Sequence, residues 1–141
     1  ESDREKCLLE VQFLKNLNHP GILKYYDSFQ INNRLFIAIE LADKGDLKKL
    51  IKKYEQEKEK IEEHKIIEYI KVLASALEHM HSKKIIHRDL KPANILYFSE
   101  GIKIGDLGLG RFVSDSTFQV FSSVGTPYYI APEVRKIKII I

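Results

Sequence analysis

The chain has 141 residues, the size of one ordinary domain or of a piece of a larger one. Apolar residues make up 44% and charged residues 30%, a mixture that excludes a disordered tail or a collagen-like rod. A net charge of +3, from 23 basic and 20 acidic residues, gives no case for a nucleic-acid or membrane surface, and the single Cys7 excludes an internal disulfide or a Cys-based zinc site.

Residues 3–17 read as a helix, because Leu8, Val11, Leu14 and Leu17 recur at helical spacing among Lys, Glu and Gln. Ser2 followed by Glu5 fits a capping box, and Asn18-His19-Pro20-Gly21 stops the helix. Two strand-like runs, 22–30 and 35–41, are joined by Asn32-Asn33 as a hairpin. The second, Leu35-Phe36-Ile37-Ala38-Ile39, is apolar on both faces and predicts a covered strand. Asp46 starts a short helix through Ile51, and 52–65 reads as a solvated helix end and loop. In the helix predicted over 66–83, Ile66, Ile70, Leu73, Leu77 and Met80 form one apolar stripe that should enter a core. Strand runs follow at 85–87, 95–98 and 102–104, the last two joined through Ser99-Glu100-Gly101. From Asp106 to Glu133 no periodicity is visible, which predicts a long irregular segment of the kind that carries function. No apolar run approaches the roughly 18 residues of a membrane span, and nothing near Glu1 resembles a signal peptide. The expectation is a soluble intracellular protein in a reducing compartment.

The informative stretch is His87-Arg88-Asp89-Leu90-Lys91-Pro92-Ala93-Asn94. One loop can aim Asp89, Lys91 and Asn94 at a single point. The carboxylate can accept a hydroxyl proton, the ammonium can offset developing phosphoryl charge, and the amide oxygen can ligate a hard cation. Asp106, between Gly105 and Gly108, offers a second oxygen ligand for Mg²⁺ at a sharp bend. His79 and His81 lack further ligands at metal spacing, and His87 reads as a packed histidine.

These residues resemble the eukaryotic protein kinases. Residues 87–94 match the catalytic loop H-R-D-L-K-x-x-N, and Asp106-Leu107-Gly108 matches D-F-G with Leu for Phe. Ala131-Pro132-Glu133 matches A-P-E, and Glu10 falls where the family places the helix-C glutamate. LNHPGILKYYDSF, IELADKGDL, GDLGLGRF and VGTPYYIAPE are similar to the NIMA-related (Nek) serine/threonine kinases, above all to the short, catalytic-domain-only pair numbered six and seven.

The resemblance implies an α+β protein-kinase fold, incomplete at both ends, over residues 1–133. It divides into an N-lobe portion over residues 1–39, a hinge over 40–45 and a C-lobe portion over 46–133, with 134–141 as a tail unlike the family. It implies ATP- and Mg²⁺-dependent phosphorylation of protein Ser or Thr. Asp89 would position the substrate hydroxyl and take its proton, Lys91 would contact the transferred phosphoryl group, and Asn94 and Asp106 would hold Mg²⁺. Backbone groups of Glu40 and Leu41 would bond adenine, Ile39 would control the pocket behind it, Asp46 would reach the ribose and Leu96 would lie beneath the base. Arg88 would pair with a phosphate on the activation segment, with Ser122 as the expected phosphosite and Ser123 the lesser candidate. Thr126 would bond near Asp89 and Lys91.

The same resemblance implies protein substrates, an upstream activating kinase, no nucleic acid and no membrane, a mitotic role, and a cytoplasmic, centrosomal, spindle or nuclear setting. Neither the glycine-rich loop nor its following lysine strand is found ahead of Glu10, and the C-lobe helices expected after Glu133 are not found. A fragment with weak or no activity of its own is therefore expected. The rival readings are a catalytically dead kinase-like module that docks on a partner and, more remotely, a basic nucleic-acid binder. Leu107 leaves the active or inactive position of its triplet open.

Overall fold

A computed structural model describes residues 3–32, 34–107, 111–112 and 126–132, and among these residues the chain forms three α-helices, two 3₁₀ turns and three small antiparallel sheets. The side chains of residues 3–7, 9, 10, 111, 112 and 127 lie outside that description, as do Ser2, Gly108, Ser122, Ser123, Glu133 and the 134–141 tail.

Helix α1 spans Asp3–Asn16. The spacing read from the sequence is realised at Val11, Leu14 and Leu17, all buried, while Leu8 stands in solvent and Phe13 adds a fully buried ring. Pro20 cannot continue a helix, and the Gly21 N–H turns back to His19 Nδ1 at 3.0 Å. Gly21 must be glycine for packing: a Cβ there would stand 2.9 Å from Val72 Cγ1.

The hairpin forms as β1 (Tyr25–Ile31) and β2 (Arg34–Ile39), with Asn32 at φ 47° in the turn. The expectation that β2 is covered on both faces is corrected. Ile37 and Tyr25 pack on the core, but Phe36 and Ile39 are each 44% exposed. Phe36 lies on the face opposite Ile37, which a two-stranded sheet packed on the core by one face leaves open; Ile39 shares the Ile37 face but ends the strand. On the open face Phe36 stacks on Phe29, ring centroids 5.3 Å apart.

Helix α2 spans Leu47–Glu57, six residues beyond the predicted end at Ile51. Leu47, Leu50, Ile51 and Tyr54, all half-buried, carry the helical spacing through the Lys and Glu residues. Lys58, at φ 55°, closes the helix with its N–H directed back to Glu55 and Tyr54.

Helix α3 spans Glu63–Ser82. Its stripe enters the core only over its second half, which corrects the sequence reading. Ala76 and Met80 are fully buried and Leu73 and Leu77 pack against the core, whereas Ile66 and Ile70 are 42% and 59% exposed. α3 meets Gly21 through Val72 and Ala76, and Tyr69 bonds Tyr97, while Ile66, Ile67 and Ile70 of its N-terminal half remain exposed.

After α3 come β3 (Ile85–Ile86), then β4 (Ile95–Phe98) paired with β5 (Gly101–Ile104). The segment expected to be irregular contains one short strand, β6 (Arg111–Phe112), paired antiparallel with β3. Phe13, Leu14, Leu17, Ile22, Ala76, Met80, Ile85, Ile104 and Leu107 form the core. The β3–β4 loop therefore leaves the core from a buried base. Among the described residues no helix is long and apolar enough to cross a membrane.

Candidate active site

The β3–β4 loop holds the predicted cluster. His87 is buried beneath it, its Nδ1 accepting from the Asp89 N–H at 3.3 Å and its Nε2 donating to the Gly105 carbonyl at 2.9 Å. That pairing fixes the neutral tautomer and makes His87 a brace between the loop and the end of β5. Arg88, half-buried, adopts φ 69°, a left-handed turn that costs a non-glycine residue about 1–2 kcal/mol. The turn lets His87 and Asp89 both point inward.

Asp89 is 6% exposed and its carboxylate is fully engaged. Oδ2 accepts from Lys91 Nζ at 2.6 Å and from Asn94 Nδ2 at 3.1 Å. Oδ1 accepts from the Thr126 N–H at 2.9 Å and its hydroxyl at 2.7 Å. Lys91 Nζ also donates to Thr126 Oγ1 at 2.7 Å, and Asn94 Nδ2 to the Asp89 carbonyl at 2.9 Å. Four side chains thus form one closed network, and Thr126 ties the loop to a segment 37 residues on.

Burial pushes the Asp89 carboxyl up, but hydrogen bonds from Lys91 and Thr126 outweigh it and hold the group below the ordinary value of 3.8. A depressed carboxyl stabilises the fold fully above 3.8, and that contribution fades as pH falls through the lower folded value. Thr126→Ala should therefore cost about 2 kcal/mol at neutral pH. The gap from the unaltered protein should narrow in urea unfolding below pH 3.8; a gap of constant size would show that the ionised carboxylate is not what Thr126 stabilises.

Asn94 closes a 3₁₀ turn, Pro92–Asn94, directly before β4. Its backbone carbonyl accepts from the Gly105 N–H at 2.9 Å, so the β4–β5 hairpin brings Asn94 to the foot of Asp106. Asp106 sits at φ 53° and is exposed, while Leu107 is 1% exposed. Leu107 thus fills a core position, and the carboxylate before it is turned out of the core. Asn94 directs its amide nitrogen at Asp89, which leaves its oxygen for a ligand. An amide oxygen and a carboxylate suit a hard divalent cation.

The predicted hinge follows β2. The Glu40 N–H donates to the Lys24 carbonyl at 2.9 Å, so at that residue the carbonyl remains for a ligand. Burial would raise the Glu40 carboxyl, but bonds from Lys103 and the Lys24 N–H hold it low. Leu41 is 84% exposed. Hydrogen bonds from Lys44 N–H to Tyr97 O and from Tyr97 N–H to Gly45 O lay the hinge along β4. An isolated bridge then sets Asp46 opposite Leu96. Asp46 Oδ1 caps α2 by accepting from the Lys49 N–H at 2.8 Å.

The structure thus brings together Asp89, Lys91, Asn94 and Thr126, joins Asp106 to them through β4–β5, and joins Asp46 to Leu96. Ile39 ends β2 and Glu40 and Leu41 follow it, with Glu40 bonded to Lys24 and Lys103 and not to the loop. The Glu10 side chain and Ser122 are outside the described residues. Lys103, which braces the hinge glutamate from β5, was not singled out in the sequence, and Gly105 was read there for its bend and not for the carbonyl that holds His87. The alternation of Lys103 between buried Ile102 and Ile104 was the available signal for the former.

A family model described as the protein kinase domain matches residues 1–138. Serine/threonine-protein kinase Nek5 of Homo sapiens is 37% identical over 134 residues, a match that takes in 94% of this chain and 19% of the relative. Serine/threonine-protein kinase Nek2 of Homo sapiens is 36% identical over 141 residues, 94% of this chain and 32% of the relative. Putative serine/threonine-protein kinase A of Trypanosoma brucei brucei is 38% identical over 138 residues, 95% and 32% respectively. The chain spans between 19% and 32% of the length of these relatives.

Proposed function

Because the chain belongs to the protein kinase domain family, we propose that the protein carrying it phosphorylates Ser or Thr of protein substrates in a reaction that uses ATP and Mg²⁺. The observation that supports this best is the closed network of Asp89, Lys91, Asn94 and Thr126, with Asp106 on the adjoining turn.

Asp89 is a weak base, since its partners favour the ionised form. Its role is to orient the incoming hydroxyl and receive the proton as the new O–P bond forms. Lys91 places a cation two residues from that carboxylate, where negative charge develops on the phosphoryl oxygens. Asn94 and Asp106 would hold Mg²⁺, which when bound neutralises phosphate charge. The Glu40 carbonyl and Leu41 backbone would receive adenine, with Ile39 behind it, Leu96 beneath it and Asp46 at the ribose. Arg88 would answer a phosphate placed on Ser122 by an upstream kinase, with Glu10 aligning the N-lobe side.

The similarity to Nek5 and Nek2 supports a NIMA-related assignment with a mitotic role, and a place in the cytoplasm, at the centrosome or spindle, or in the nucleus. Taken by itself, the 141-residue stretch is expected to be weakly active or inactive, because α3 leaves Ile66, Ile67 and Ile70 in solvent.

The test is transfer of labelled γ-phosphate from ATP to casein by the full-length protein. Transfer to Ser or Thr that stops when Mg²⁺ is chelated is the expected result. Mg·ATP binding without transfer to casein or to the protein itself would instead identify a module that docks.

A further inference from the structure

Two cavities flank the His19-Pro20 turn. The first, about 510 Å³, lies between the end of α1 and the start of β1, with Lys15, Lys24 and Lys103 in its wall. The second, about 440 Å³, lies between α3 and β5, with Lys71, Lys103 and Glu100 in its wall. His19, Pro20 and Lys103 line both, so the two join into one groove across the turn. Four lysines line it against one lining acid, Glu100; Lys103 is paired with Glu40, and the Lys15 and Lys24 ammoniums rest over the Tyr25 and Tyr26 rings, 5.7 and 5.3 Å from the centroids. Lys15, Lys24 and Lys71 are exposed.

The shared wall is fixed. His19 Nε2 bonds Ser75 Oγ at 3.1 Å, and the His19 ring stacks on His79 of α3 with centroids 5.4 Å apart. Between the cations the lining is apolar: Leu17 and Ile22 in the first cavity, Val72 and Ile102 in the second.

We infer that this groove binds an acidic peptide segment in extended form. The Lys15, Lys24 and Lys71 ammoniums would pair with its carboxylates, and the apolar lining would take the side chains between them. Separated cations with apolar wall between them suit a peptide better than a continuous phosphate backbone. The inference is independent of the catalytic reading: these residues have no part in the proposed chemistry, and Lys24 and Lys103 meet the proposed site only through Glu40.

The test is fluorescence anisotropy on the full-length protein. The probe is a labelled peptide of alternating Glu and Leu, about eight residues and so roughly 26 Å when extended. Micromolar binding is expected, weakening with added salt and falling about tenfold or more in Lys24→Glu/Lys71→Glu. The matching Lys–Leu peptide should not bind. Both lysines are exposed, so the melting temperature should hold; if the reversal lowers it, Lys24→Ala/Lys71→Ala reads the same interaction without added repulsion. No binding, binding indifferent to both variants, or tighter binding of an oligothymidylate of equal length would each overturn the inference.

Discussion

Asp89→Asn in the full-length protein should lower kcat by about 10²- to 10⁴-fold, with the KM for ATP nearly unchanged. Asn keeps the shape of the side chain and loses the charge. The carboxylate now receives donors from Lys91, Asn94 and both the N–H and the hydroxyl of Thr126. An amide offers one oxygen to those donors and turns an NH₂ toward the rest. The network must rearrange, and the hydroxyl of a substrate loses both its orienting acceptor and its proton acceptor. Adenine would be bound from β2 and the hinge, which Asp89 does not touch, so nucleotide affinity should survive. Steady-state kinetics at saturating ATP, with nucleotide binding measured separately, check both halves. A loss of less than tenfold in kcat would remove Asp89 from the chemistry and leave it the structural role that its burial already gives it.

The clustering of Asp89, Lys91 and Asn94 was legible in the sequence because the segment is contiguous. Residues 87–94 need only a loop with a buried base to bring Asp89, Lys91 and Asn94 together, and His87 and Arg88 supply the brace and the turn. Asp106 could be placed because the β4–β5 hairpin is short. Features set by what lies across from them were not legible. The exposure of Phe36 depends on how many layers cover β2, and the alternation of the strand carries no record of that. The extension of α2 to Glu57 rests on half-buried Leu50, Ile51 and Tyr54, whose spacing is masked by the surrounding Lys and Glu. The Lys103–Glu40 pair joins positions 63 residues apart, beyond any motif length. The arrival of Thr126 at Asp89 was foreseen through family resemblance alone, since no local pattern connects them.

Met80→Ala should be the most damaging of the simple truncations in α3, costing about 2–5 kcal/mol. Met80 is fully buried among Phe13, Ile85, Ile104 and Leu107, so removal of its thioether leaves a cavity at the junction of α1, α3 and β5. Single domains are stable by only about 5–15 kcal/mol, so this is a large fraction of the total. The expected fall in melting temperature is roughly 10 °C. Ile70, on the same stripe but 59% exposed, is the internal control: Ile70→Ala should stay within about 0.5 kcal/mol. Ala also has the better helix propensity, which offsets the small apolar burial that Ile70 gives up. Thermal unfolding of both variants decides whether the stripe is energetically divided along its length. Equal losses would mean that the N-terminal half of α3 is covered in the folded protein, and that the division between Leu73 and Ile70 is not a property of its solution state. Below its lowered melting temperature, Met80→Ala should keep its kcat, because the side chain acts nine positions before Asp89 through the seating of β3 and not by touching the Asp89 network.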